Sequence, residues 1–195
     1  MAVLLHGWRI MKLTSSDLFI HEGVVYELLV KKQRFYDEEM LKRLIKVFDA
    51  SLLHYSKVLF IRWDFKVGSY TRSNSEVSRL FKKLKIHLDR KYGIKNACYL
   101  WAREQEKSPC QHYHIILLLN GHKIRHPYNL NQWLMSYSER NDLPQPWIPE
   151  NCYKKLTRDD PKTFSEAFKR ASYLAKSDGK DRQGKYCKNY GSSMV

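Results

Sequence analysis

Gln111-His-Tyr-His-Ile-Ile-Leu-Leu-Leu119 is the stretch that decides the fold. Side chains of an extended strand alternate between faces, so Tyr113, Ile115, Leu117 and Leu119 share one side and His112, His114, Ile116 and Leu118 the other. Both sides are largely apolar, which predicts a strand in the middle of a sheet, covered above and below. Upstream, Ile94 to about Glu106 reads as its partner strand, with a turn at Lys107-Ser-Pro-Cys110, and Asn120-Gly121 closes the return strand.

Working outward, Val58 to Phe65 is a dense β-branched and aromatic run of strand length, followed by a loop-like segment to Asn74. On either side of it the apolar spacing turns helical. One helix is expected from Asp37, its cap, to about Tyr55, and another from about Ser75 to Tyr92, stopped by Gly93. Beyond the hairpin, a helix is expected from about Leu130 to Arg140, then a proline-rich connection. Pro161 opens a last helix running to about Ser177, and the tail from Asp178 reads as irregular. Helices returning to a largely antiparallel sheet define an α+β fold of the ferredoxin-like or RRM-like kind. Residues 1–36 form an N-terminal extension of uncertain structure, and 37–195 the main domain.

Composition narrows the function. In 195 residues, 43% hydrophobic and 13% aromatic content is enough for a packed core, which excludes disorder as the main state. No apolar run approaches the roughly 20 residues of a membrane span, and Met1 to His6 does not read as a secretory signal. Cys98, Cys110, Cys152 and Cys187 are widely spaced, which suits reduced thiols in a cytoplasmic protein. Lysine and arginine number 35 against 20 acids, a balance of +15, so the expected partner is a polyanion, nucleic acid first.

His112 and His114 project from the same face about 7 Å apart and can share one metal ion. Two such histidines leading into a core strand would be expensive without polar partners. Glu104, eight residues before His112 across the hairpin, is the expected third ligand, with Glu106 in reserve. Tyr173 and Lys176 are three residues apart on the last helix, and Lys169 and Arg170 extend the same basic face. Arg62 and Asp64 are placed to border the site. His122 and His126 read as loop histidines, Lys82, Lys83, Lys85, Arg90 and Lys91 as a wet helix face, and Trp133, Trp147 and Tyr153 as packing or base-stacking residues.

Two histidines flanking a hydrophobic residue, an upstream carboxylate and a downstream Tyr-x-x-Lys together resemble the HUH endonucleases, the rolling-circle replication initiators and relaxases. The segments that carry the resemblance are Arg62-Trp-Asp-Phe65, Trp101 to Glu106, His112 to Asn120, Ala171 to Lys176 and Tyr190-Gly-Ser-Ser193, and the nearest pattern is that of inovirus-type initiators from filamentous phages and prophages. The resemblance implies an HUH endonuclease-like catalytic domain over 37–195. It implies Mg²⁺ or Mn²⁺ on Glu104, His112 and His114, with Tyr173 as the nucleophile and Lys176 beside it. Arg62, Lys169 and Arg170 would contact DNA. The product would be a 5′-phosphotyrosine and a free 3′-hydroxyl at a single-stranded or hairpin origin. The implied setting is the cytoplasm of a bacterial host, with replication proteins such as a helicase as partners. Tyr186 and Tyr190 are weaker nucleophile candidates. Two other readings stand: a non-catalytic RRM-like module binding single-stranded nucleic acid, with exposed aromatics on its central strands, and a Zn²⁺ protein using Cys110, His112 and His114.

Overall fold

A computed structural model describes residues 2–6, 9–29, 35–105, 110–177 and 187–193. The chain begins with two antiparallel ribbons, β1 (Ala2–His6) with β2 (Arg9–Thr14) and β3 (Leu18–His21) with β4 (Val24–Glu27). A short β5 (Tyr36–Asp37) adds to β2 and leads into α1 (Glu38–His54), where Asp37 caps the first turn by accepting from the Met40 N–H. Next come β6 (Lys57–Lys66), α2 (Ser75–Tyr92), β7 (Cys98–Glu104), β8 (His112–Asn120), α3 (Tyr128–Arg140) and β9 (Tyr153–Thr157). The last elements are α4 (Pro161–Ser172), a 3₁₀ turn (Tyr173–Ala175) and β10 (Tyr190–Ser192).

From β6 to β9 the order is βαββαβ, and the sheet runs β10-β7-β8-β6-β9 with every neighbour antiparallel. This is the ferredoxin-like arrangement, with β6 and β7 parallel across the central β8 and joined over one face by α2. The fold is therefore α+β, as the sequence pattern predicts, with β8 in the central position. Trp63, Phe65, Tyr113, Ile115 and Leu117 pack on one face against Val77, Leu80, Phe81 and Leu84 of α2 and Leu130 and Leu134 of α3. Phe60, Leu100, Ala102, Ile116 and Leu118 pack on the other against Leu41, Leu44 and Phe48 of α1 and Phe168 and Ala171 of α4. Gly93 ends α2 in the left-handed conformation at φ 60°, the role its sequence position predicts.

Four expectations need correction. The strand before the hairpin starts at Cys98, not Ile94. The proline-rich connection ends in β9, an edge strand whose Lys154 and Lys155 blur the hydrophobic alternation while discouraging further pairing. The tail contains β10, which borders β7. The last α-helix stops at Ser172 instead of about Ser177, because the chain tightens into the 3₁₀ turn and Lys176 then bridges Tyr36 in extended conformation. The Ser177 N–H donates to the Phe35 carbonyl and the Leu29 N–H to Ser172 Oγ, so the N-terminal segment fixes where the helix ends. Among the described residues no helix is long and apolar enough to cross a membrane.

Gly191 is required by packing. It lies opposite Trp101, and a Cβ there would sit 2.6 Å from the indole. Gly191→Ala is expected to lower stability by about 1–3 kcal/mol. Urea unfolding measures this, and an unchanged midpoint would show that the indole yields without cost.

Candidate metal centre

Strand register assembles the site. Glu104 of β7 lies directly opposite His112 of β8, and Asp64 of β6 directly opposite His114, so three adjacent strands deliver four chemically active side chains to one face. Glu104 Oε2 is 2.9 Å from His114 Nε2 and 3.5 Å from His112 Nε2. The two imidazoles meet edge to face, with centroids 5.0 Å apart. One ligand atom from each of Glu104, His112 and His114 lies within 4.8 Å of the others, so the group can hold a metal ion. Glu104 is sealed from solvent, and its Oε1 has no hydrogen-bond partner among the described residues. A buried carboxylate oxygen left over in this way is a donor that a cation would satisfy. The expected reserve ligand, Glu106, lies outside the described residues. Cys110 Sγ approaches the Gly68 carbonyl at 3.5 Å and is not part of the group.

Asp64 supplies what sequence reading left open. Its Oδ1 is 2.6 Å from His114 Nδ1, which turns the opposite nitrogen, Nε2, toward Glu104. A carboxylate behind a ligating histidine fixes the ring and raises its basicity, as at many metal sites. Its signals in the sequence were its parity with Arg62 and its place on the strand next to the hairpin, but the pairing register was hidden there.

The charges compensate one another. Burial works against Glu104 ionising, yet His112, His114 and Lys176 outweigh it and hold the carboxyl well below the usual range. Burial would likewise favour neutral His114, but hydrogen bonds to Asp64 and Glu104 raise its pKa. For Asp64 the burial penalty is overcome by His114 and Arg62, and its pKa is lowered. Lys176 is pushed down by desolvation and raised further by Glu104 and Tyr173.

Tyr173 and Lys176 join this cluster. Lys176 Nζ is 3.0 Å from Glu104 Oε2 and donates to the Tyr173 hydroxyl at 2.8 Å, so one ammonium links the Glu-His-His group to the phenol. Tyr173 is held at the end of α4, not within it, with its ring edge to face with His114 at 5.5 Å and under the Arg62 guanidinium at 4.8 Å. Arg62 also lies 3.4 Å from Asp64. Lys169 pairs with Glu27 and Arg170 donates to the Glu150 carbonyl, and both line the same open cleft of about 810 Å³ as Arg62, Asp64, His114 and Tyr173. Thus Glu104, His112, His114, Tyr173, Lys176, Arg62, Lys169 and Arg170 all meet at one end of the sheet.

The secondary candidates separate. Tyr190 lies on β10 packed against the core, and Tyr186 falls outside the described residues. Trp133 stacks on His87 and Tyr137, Tyr153 meets His126, and His122 pairs with Ser56. A buried residue not singled out, Arg103, faces away from the centre. It ties the end of β7 to the Thr71 and Ser73 carbonyls and to Cys187 Sγ.

Fold and site together define an α+β domain of βαββαβ order with a Glu-His-His group and a Tyr–Lys pair at one end of its sheet. The chain belongs to the YagK/YfjJ C-terminal domain family, whose family model matches residues 23–193. No curated protein and no solved structure matches the chain.

Proposed function

We propose that this protein is a metal-dependent single-stranded DNA endonuclease and strand transferase of the rolling-circle initiator type. The observation that carries the reading is Lys176, whose ammonium touches both a carboxylate of the metal-ligand group and the hydroxyl of the nearest tyrosine. A divalent cation on Glu104, His112 and His114 would polarise the scissile phosphate. Two imidazoles in the donor set favour Mn²⁺ over Mg²⁺, which prefers all-oxygen surroundings.

The chain's own groups do the rest. The Tyr173 oxygen attacks phosphorus as its proton leaves to solvent. An O–P bond forms, the P–O3′ bond breaks, and the departing 3′-oxygen takes up a proton. Lys176 offsets negative charge as the phenol ionises, and Arg62 holds the ring. Asp64 keeps His114 Nε2 facing Glu104. Rejoining is the same displacement run backwards by a 3′-hydroxyl.

The RRM-like alternative draws less support. Trp63, Phe65 and Tyr113 of the central strands are fully buried, and helices cover both faces of the sheet, so the stacking surface such a module needs is occupied. The zinc alternative loses Cys110 from the ligand group.

Incubation with single-stranded DNA and Mn²⁺ should yield a covalent protein–DNA adduct that migrates as one species on a denaturing gel and disappears with EDTA. Nicked DNA with no protein attached would support metal-dependent hydrolysis and overturn the tyrosine mechanism. Intact DNA across a range of single-stranded sequences would overturn the nuclease reading.

A further inference from the structure

We infer that Trp147 is a stacking platform for one unpaired base of the bound strand, placed beside the scissile phosphate. The inference rests on the strand-transfer reading and adds to it a site that reads the base rather than the backbone.

Trp147 is 56% exposed although it is among the largest apolar side chains in the protein. The other described tryptophans are packed: Trp63 and Trp101 lie in the core and Trp133 stacks on His87. Exposure of Trp147 is built into its segment, Pro146-Trp-Ile-Pro149. Pro146 and Pro149 are buried on either side of it, and Ile148 packs against the α2–α3 core. Prolines fix φ near −65°, so the indole is presented by a stiff backbone. The backbone is also pinned to the centre itself. The Asp64 N–H donates to the Trp147 carbonyl at 3.1 Å, and the Trp147 N–H returns a bond to the Asp64 carbonyl at 2.9 Å. The residue that orients His114 therefore fixes the position of the exposed indole.

The cleft beside it suits a nucleotide. Trp147 forms its wall together with Tyr173, Arg62, Lys154 and Arg170. The Arg170 Nε is sealed from solvent and lacks a hydrogen-bond partner among the described residues. Burial and the neighbouring Arg62 charge together hold Arg170 below the usual guanidinium range against the opposing pull of Asp64, so two cations border the cleft. A phosphate between the arginines and a base on the indole is the pairing that single-strand binding sites use, aromatic faces for bases and cations for the backbone. A duplex cannot offer such a base without unstacking, so the platform selects single strands or melted ends.

Binding of a labelled single-stranded oligonucleotide in EDTA, read by fluorescence anisotropy, separates recognition from cleavage. Trp147→Ala should weaken binding about 5- to 100-fold, with Trp147→Phe retaining most of the affinity. The salt dependence should stay as steep as in the wild type, since no phosphate contact is removed. An oligonucleotide scanned with single abasic sites should show one position at which wild type and Trp147→Ala bind equally. Wild-type affinity in Trp147→Ala, or a deficit that persists at every abasic position, overturns the platform and leaves the nuclease reading standing. A wild-type protein that binds no single-stranded DNA overturns both.

Discussion

His114→Ala is expected to reduce formation of the covalent DNA adduct by roughly 1000-fold or more, because it removes the side chain around which the proposed metal centre is arranged. Polarisation of the phosphate by a cation contributes several kcal/mol at the transition state, and each 1.4 kcal/mol is a factor of ten. His114 is 5% exposed and lies between Asp64 and Glu104 at 2.6 and 2.9 Å. Deleting it leaves two buried carboxylates facing each other, so a loss of stability of about 3–5 kcal/mol is expected as well. His112→Ala separates the two effects. Its ring is more exposed and its contact with Glu104 is longer, 3.5 Å, so the fold should persist while the adduct is lost. Asp64→Asn should be milder, lowering Mn²⁺ affinity about 10- to 100-fold by releasing the orientation of His114. Calorimetric titration with Mn²⁺ and adduct assays on the folded variants measure these effects. Full adduct formation by a folded His112→Ala protein would show that the Glu-His-His group holds no catalytic ion.

The centre could be read from sequence to the extent that its parts lie within one hairpin. Glu104 and His112 are joined by a short connection, so their facing positions follow from strand parity and turn length. Asp64 comes from a strand fifty residues away in sequence from His114, and no local pattern carries the register that sets them opposite. The helix end at Ser172 was hidden for a related reason. The apolar stripe continues through Leu174, and what stops the helix is pairing with Tyr36, more than a hundred residues upstream. Strands β9 and β10 escaped because they are short edge elements, one rich in lysine and one centred on a glycine that admits Trp101. The inner strands and the first two long helices were legible because burial on regular faces writes itself into periodicity. Where contacts are long-range and polar, periodicity is silent.

Tyr173→Phe should remove the covalent adduct almost completely while leaving the protein folded. The substitution keeps the ring, and with it the stacking under Arg62 at 4.8 Å and the edge contact with His114 at 5.5 Å. It deletes the hydroxyl that accepts from Lys176, but the ammonium keeps Glu104 at 3.0 Å, so the cost in stability should be about 1 kcal/mol or less. A phenol in water ionises near pH 10 and is a poor nucleophile at neutral pH without nearby positive charge. Here a buried ammonium touches the oxygen directly, and the 3₁₀ turn holds both residues because the Lys176 N–H donates to the Tyr173 carbonyl. The same geometry predicts where DNA would be attached in the proposed reaction. Trypsin cuts after Arg170 and Lys176, so the nucleotide should be carried by the peptide Ala171-Ser-Tyr-Leu-Ala-Lys176, which contains a single tyrosine. Label on Tyr186-Cys-Lys188 or on the peptide from Asn189 would move the nucleophile to the tail and leave the Tyr–Lys pair as scaffold. A normal adduct from Tyr173→Phe would exclude this residue outright. Loss of the adduct with DNA binding intact, together with the wild-type label on this peptide, assigns the nucleophile to position 173, since the variant preserves the contacts of the ring.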